Sequence, residues 1–206
     1  MKTLSERCRD QIEGAILSGE LRPNEKLGME RLKAWLGVGY SPIREALASL
    51  VSKGFVKLEG NRGFSVAPIS AEELRDLVIT FAEIEALAVG QAIAKGDEAW
   101  EAALVASLHR LSQAEKGALS YEIWAERNRA FHEALAAGCG SPTLMEIRST
   151  LFRRLGRYIA LTYRAHRGPL SLNFAEHEAI AKAALARDRQ QTLSLLHHHL
   201  TDSLPC

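Results

Sequence analysis

LGVGYSPIREALASLVSKGFVKLEGNRGF, residues Leu36–Phe64, is the stretch whose reading decides the fold. Ser41-Pro42 predicts a helix start, with the serine oxygen as N-cap and the proline at the first helical position, where its missing N–H costs nothing. Ile43, Ala46, Leu47 and Leu50 then recur at helical spacing, with Arg44 and Ser49 off that face. Gly54 is placed to end the helix. Phe55–Glu59 and Phe64-Ser-Val are short strand-like runs around Gly60-Asn61-Arg62-Gly63, which has the composition of a hairpin turn. A short helix, a turn, this helix and a basic-tipped hairpin outline a winged helix-turn-helix. Its third helix would enter a major groove, and its hairpin tip would reach the DNA backbone or minor groove.

Upstream, Thr3-Leu-Ser-Glu6 has capping-box spacing, and Leu4, Cys8, Ile12, Ala15 and Ile16 form one stripe of a first helix. A second helix is expected over Met29–Leu36 with Leu32, Trp35 and Leu36 inward. These pieces make a first domain, residues 1–68, with Ala67-Pro68-Ile69 as linker. Downstream, residues 69–206 carry helical stripes and no strand pattern. Ser70-Ala-Glu-Glu73 opens a helix to Lys95 along Leu74, Leu77, Val78, Phe81, Ile84, Leu87 and Ala88. Further helices are expected over 98–116 (Ala103, Leu104, Leu108 and Leu111 inward), 121–137, 142–164, 171–186 and 187–203. Short connections and one-sided stripes imply an antiparallel bundle, so the chain is mainly α.

Of the 206 residues 47% are hydrophobic and 25% charged, as in ordinary globular domains. No apolar run approaches the ~18 residues of a membrane span, and the first residues lack a signal-peptide core. Cys8, Cys139 and Cys206 are an odd, scattered set that suggests neither a disulfide framework nor a zinc knuckle, so a reducing cytoplasm is expected. The net charge of +1 is uneven: residues 1–68 hold 11 basic against 8 acidic side chains, and the rest holds 15 against 17. The excess weakly favours a nucleic-acid-facing first domain.

Four polar residues in the bundle sit where apolar ones are expected. Asn128 and His132 are four apart, so they point the same way. His177 shares a face with Ile180, Ala181 and Ala184, and His199 lies a turn beyond Leu195 and Leu196. Three imidazoles and an amide oxygen can converge on a divalent cation, imidazole being suited to zinc, nickel, copper or iron. Spacing alone is a weak signal, because a His on an apolar face is more often a hydrogen-bonded core residue than a ligand. His197 and His198 should face outward.

Leu36-Gly-Val, Ser41-Pro-Ile-Arg-Glu-Ala-Leu, Leu50, Gly54 and the Gly60/Gly63 turn resemble the DNA-binding domain of GntR-superfamily transcription regulators, over about residues 4–68. Residues 70–203 resemble the FCD effector domain of the FadR branch through Asn128-Arg-Ala-Phe-His132, Glu176-His177-Glu-Ala-Ile180, Asp188 and His199. The overall run is most similar to carbon-starvation-type regulators of glutarate and aminobutyrate catabolism. The resemblance implies a homodimer on a double-stranded DNA operator, most often repressing, with a small carboxylate effector bound beside a metal ion. Zinc is implied first, with nickel or another transition metal possible. The implied metal ligands are Asn128, His132, His177 and His199, with Asn128 in place of the usual Asp. The implied DNA-contacting residues are Arg31, Tyr40, Ser41, Arg44, Gly60, Asn61, Arg62 and Gly63. Tyr40 and Glu30 stand where arginines are common in this family. For the effector the resemblance points to Phe81, where many relatives carry an Arg, and to Arg154, Arg157 and Tyr158, with Arg157 favoured to turn inward and Arg153 beside them.

Two other functional classes remain to be weighed. A metal-dependent hydrolase needs a base or nucleophile beside its metal. His132-Glu133 and His177-Glu178 begin HE pairs, but Ala136 and Ala181 stand four beyond each His, so neither completes HExxH. A helical interaction module without DNA binding leaves the Ser-Pro-Ile-Arg helix and the wing without a role. No membrane partner is expected.

Overall fold

The computed structural model describes residues 2–60, 63–116, 120–165 and 174–202. Asn61 and Arg62 at the wing tip, Ser171 at the expected start of the fifth bundle helix, and Cys206 lie outside them. In chain order the elements are α1 (Leu4–Leu17), α2 (Met29–Leu36), α3 (Tyr40–Ser52), β1 (Val56–Leu58), β2 (Phe64–Val66), α4 (Ala71–Lys95), α5 (Glu98–Lys116), α6 (Tyr121–Ala137), α7 (Pro142–Ala165), α8 (Phe174–Leu185) and α9 (Arg189–Asp202). They fall into two units, Met1–Ala71 with Gly156–Ala165, and Glu72–Leu155 with His166–Cys206.

In the first unit α1 starts on a complete capping box: the Glu6 amide donates to the Thr3 hydroxyl, and the Thr3 amide donates to the Glu6 carboxylate. Cys8, Ile12, Ala15 and Ile16 are buried as expected, while Leu4 at the open end is half exposed. They pack with Leu32 of α2 and with Ile43, Ala46, Leu47 and Leu50 of α3. Full burial of Ile43, Leu47 and Leu50 contributes roughly 1.5–3 kcal/mol each, which holds α3 with Arg44 turned outward. Trp35 corrects the expected inward face of α2, being 43% exposed. A helix of two turns has one narrow core stripe, and Leu32 with Leu36 occupies it.

The start of α3 also differs from expectation. Gly39 is the N-cap and Tyr40 the first helical residue, so Ser41 does not cap, and its hydroxyl donates to Glu45 at 3.3 Å. Pro42 is still tolerated, because the first four amides of a helix have no intrahelical acceptor to lose. The far end follows the sequence reading. Gly54 at φ 75° lets the Gly54 amide donate to Val51 and the Phe55 amide donate to Leu50, closing the helix. The chain then enters an antiparallel pair with Val56 opposite Val66 and Leu58 opposite Phe64.

The second unit is helical. α5 packs on α6 and α8, and α8 on α9. Asp97 caps α5 by accepting from the Trp100 amide, Ser141 caps α7 by accepting from Leu144, and Asp188 caps α9 by accepting from Gln191. Leu104 and Leu111 are buried, but Ala103 is exposed, Leu108 is half-buried and Leu87 is 51% exposed. On α4 the positions flanking Leu87 explain this: Glu85 and Ala88 turn inward, leaving Leu87 on the far side. Among the described residues α4 alone has an 18-residue stretch long and apolar enough to cross a membrane. Over half of that stretch is buried inside the protein, as in the core helix of a globular unit.

Candidate functional site

Two groups of the expected residues are set out by the fold. In the first unit one hollow is lined by Lys26, Arg44, Leu58, Gly60 and Gly63, so the outward arginine of α3 and the described wing glycines come together. Arg44 is exposed and, among the described residues, has no ion-pair partner. Its charge is therefore open to a phosphate or to a guanine edge. Arg31, Tyr40 and Ser41 are also exposed, but each is engaged. Arg31 pairs with Glu25 at 2.5 Å. The Tyr40 hydroxyl donates to the Glu30 carboxylate, and the Lys33 ammonium lies 4.7 Å from the Tyr40 ring centre. An acidic group thus stands at the mouth of α3.

In the second unit, α6, α8 and α9 bring His132, His177 and His199 together, with ligand atoms within 4.8 Å of one another. His132 and His177 are buried, and the His199 side chain is 11% exposed. Asn128 lies one turn before His132, also buried, and its Oδ1 has no hydrogen-bond partner among the described residues. A buried acceptor left open in this way suits a cation. Burial, together with the neighbouring His132, pushes His199 down to about 4, although Glu176 opposes the shift. Its imidazole is neutral near pH 7, the form that can ligate. His132 Nδ1 lies 3.1 Å from Glu85, and His199 Nδ1 lies 2.7 Å from Glu176. Glu85 is fully buried and takes a two-point contact from Arg148, with Nη2 donating to Oε1 at 2.9 Å and Nε donating to Oε2. Burial pushes the Glu85 carboxyl upward, but the Arg148 guanidinium and His132 outweigh it and hold the group below the ordinary carboxylate range.

Residues 4–66 match the bacterial regulatory proteins of the gntR family, and residues 76–202 match the FCD domain. This chain belongs to the GntR family of transcription regulators. The regulator is 36% identical over 202 residues to the HTH-type transcriptional repressor GlaR of Escherichia coli, covering 94% of this chain and 91% of that one. It is 34% identical to the HTH-type transcriptional regulator BphR of Paraburkholderia xenovorans, covering 99% of this chain and 85% of that one. The solved structure of McbR/YncC of E. coli superimposes with a TM-score of 0.83 at 25% identity, covering 98% and 95% of the two chains. These relatives regulate transcription, and the GntR regulator is a DNA-binding protein and not an enzyme.

The arginines expected at the effector are placed differently in this regulator. Arg157 belongs to the first unit, where its guanidinium donates to the carbonyls of Gly54 (3.2 Å), Ala67 (2.7 Å) and Pro68 (3.3 Å). Tyr158 is buried there too, its hydroxyl accepting from the Ser70 amide at 3.5 Å. Arg154 pairs with Glu73 at 2.7 Å. Phe81 is buried edge-on against Phe152, and Phe152 lies against His132. The guanidinium that reaches this region is that of Arg148, 5.9 Å from the Phe81 ring centre and 5.7 Å from that of Phe152. Neither Arg148 nor the role of Glu85 was seen in the sequence. The available signal was Glu85 four residues after Phe81 on a buried stripe, because a buried acid requires a base somewhere in the fold.

Proposed function

We propose that this regulator is a cytoplasmic homodimer that represses a catabolic operon from an inverted-repeat operator, and that a small carboxylate releases it by binding beside a divalent metal in the FCD domain. The observation carrying the sensor reading is the convergence of His132, His177 and His199 beside Asn128, whose buried amide oxygen has no partner among the described residues. These four residues would hold the ion, with zinc the first choice for three imidazoles and an oxygen. A bound dication would supply the positive charge that draws a carboxylate oxygen to the site. Phe81 and Phe152 put an apolar wall beside His132, which favours an effector with an apolar body over one with many charges. Arg44 reads the operator from α3, and the wing steadies the complex through the backbone. Two copies are needed because one recognition helix reads too few base pairs for a useful specificity ratio.

The test is operator affinity, measured with the DNA flanking its own gene. Protein treated with chelator, then restored with zinc, is titrated with a panel of small mono- and dicarboxylates, and its mass is followed by sedimentation. Release by one acid only in the restored protein supports the reading. If restoration changes neither melting temperature nor any carboxylate response, the metal-dependent sensor fails. A monomer that binds a single half-site at full affinity overturns the dimer.

A further inference from the structure

Two carboxylates meet ring nitrogens of the histidine cluster. Glu85 of α4 meets Nδ1 of His132, and Glu176 of α8 meets Nδ1 of His199. An ionised carboxylate can only accept a hydrogen bond, so in each contact the ring nitrogen donates. The proton on Nδ1 leaves Nε2 as the lone-pair nitrogen of both rings. The two rings are stacked at 20° with centres 5.4 Å apart, so their Nε2 edges are presented in near-parallel planes. Glu85 is itself fixed. It is fully buried and held at both oxygens by Arg148, so it cannot swing away from His132. Glu176 is on the same helix as His177, next to it in sequence, so one turn of α8 supplies both a cluster histidine and the carboxylate that orients another from α9.

We propose that Glu85 and Glu176 are positioning residues for a cation at the three-histidine cluster, each fixing one ring as the Nδ1–H tautomer so that His132 and His199 ligate through Nε2. The inference rests on the metal reading above and goes beyond it by naming the ligating atoms and the residues that set them. It also gives Asn128 a context. An amide and neutral imidazoles bring no charge to a dication as ligands, so the carboxylates that meet the rings add negative charge near the site, that of Glu85 being shared with Arg148. A hydrogen-bonded carboxylate raises the basicity of an imidazole ligand, and loss of such a partner typically costs about 10–100-fold in metal affinity.

The decisive variants are Glu176→Ala, Glu176→Gln and Glu85→Gln in the full-length protein. Glu176 is partly exposed, so its removal is the change least able to disturb folding. Zinc and cobalt affinities are measured by competition with a chromophoric chelator. The tautomers of His132 and His199 are read in chelator-treated protein by long-range proton–nitrogen-15 NMR. Wild type should show Nδ1–H at both rings. Glu176→Ala should lose the fixed tautomer at His199 and bind zinc about 10–100-fold more weakly. Glu176→Gln, whose amide oxygen still accepts from Nδ1, should keep the tautomer and lose less affinity. Glu85→Gln should weaken zinc binding while leaving the His199 tautomer as in wild type. A wild-type His199 in the Nε2–H form, or a Glu176→Ala protein that binds zinc as tightly as wild type, overturns the proposal and leaves the metal reading standing. A wild type that binds neither metal overturns both.

Discussion

Glu85 is fully buried, so its charge must be answered inside the protein. Arg148 answers it through two hydrogen bonds, and His132 through a third. Removing one partner of such a pair is far more damaging than removing both, because the survivor keeps its desolvation cost without its attraction. Arg148→Met should therefore destabilise by about 3–5 kcal/mol in denaturant melts, and Glu85→Leu with Arg148→Met together by clearly less. Equal losses would mean that Glu85 is protonated or finds another partner. At the DNA face the relevant residue is Arg44, exposed and without an ion-pair partner among the described residues. If it makes a two-point contact to a base, Arg44→Ala should cost about 1–3 kcal/mol of specific operator binding, with little change for random duplex. Unchanged specificity would place base reading elsewhere. Glu25 gives a pH signature. Its oxygens accept from the Arg22 amide at 2.8 Å and from Arg31, and these two contacts hold its carboxyl below its ordinary value of 4.5. A carboxyl lowered on folding stabilises the native state above its unfolded value, and that stabilisation is lost as pH falls through the folded one. The melting-temperature gap between wild type and Glu25→Gln should thus be widest above pH 4.5 and close progressively below it. A gap that stays constant into acid would show that Glu25 acts by packing alone.

The elements show why their ends differ in how well they can be read from sequence. α5 spans the expected 98–116, and Asp97 caps its first turn, but of the expected stripe only Leu104 and Leu111 are buried while Ala103 is exposed. α3 began earlier than Ser41-Pro42 implied, since Pro is tolerated anywhere in the first turn and so marks a neighbourhood and not a residue. Trp35 was placed inward on hydrophobicity, but a two-turn helix has no second buried face to offer it. The end of α4 carries a constraint that no period reveals. Arg187, itself at φ 59°, donates to the carbonyls of Ile93 and Gly96 and lies 4.9 Å from the Trp100 ring centre, so α4 is closed by a residue from the α8–α9 turn. Gly96 is the cost of that closure: a Cβ there would stand 2.4 Å from the Trp100 ring and 2.7 Å from the Ala92 carbonyl oxygen. Because one obstacle is backbone, the strain cannot be relieved by a side-chain rotation alone. Gly96→Ala should destabilise by about 1–3 kcal/mol, as overpacking does. A melting temperature at or above wild type would show that Trp100 moves freely and that the gap is not fixed.

Across the whole molecule the histidine cluster is the place where sequence and fold meet least directly. Asn128 and His132 were legible as a pair because they share a helix, but His177 and His199 joined them only through the packing of α8 on α9 and of α5 on α6 and α8. The supporting shell was not legible at all, since Glu85 and Arg148 are 63 positions apart and each looks, in its own helix, like an ordinary charged residue. α7 was similarly opaque, its residues up to Leu155 belonging to the second unit and those from Gly156 to the first, which is why Arg157 was expected at the effector and stands instead among backbone carbonyls. An ion held by residues of α6, α8 and α9 would tie three separate helices, so its stabilisation belongs to the fold and not to one element. A ligand that binds only the folded state stabilises it by mass action, by about 2.7 kcal/mol at a hundred times its dissociation constant. Chelation should therefore lower the melting temperature of wild type, and zinc should restore it. Asn128→Asp replaces a neutral oxygen with an anionic one of nearly the same size. With zinc the variant should melt higher than wild type, and with chelator lower, because a buried carboxylate without a cation carries an uncompensated desolvation cost. His177→Ala should abolish the zinc-dependent difference in both backgrounds. The opposite signs in zinc and in chelator are what separate a cation site from a polar core: in a core without an ion, Asn128→Asp destabilises by the same amount under both conditions, and zinc moves none of the three curves.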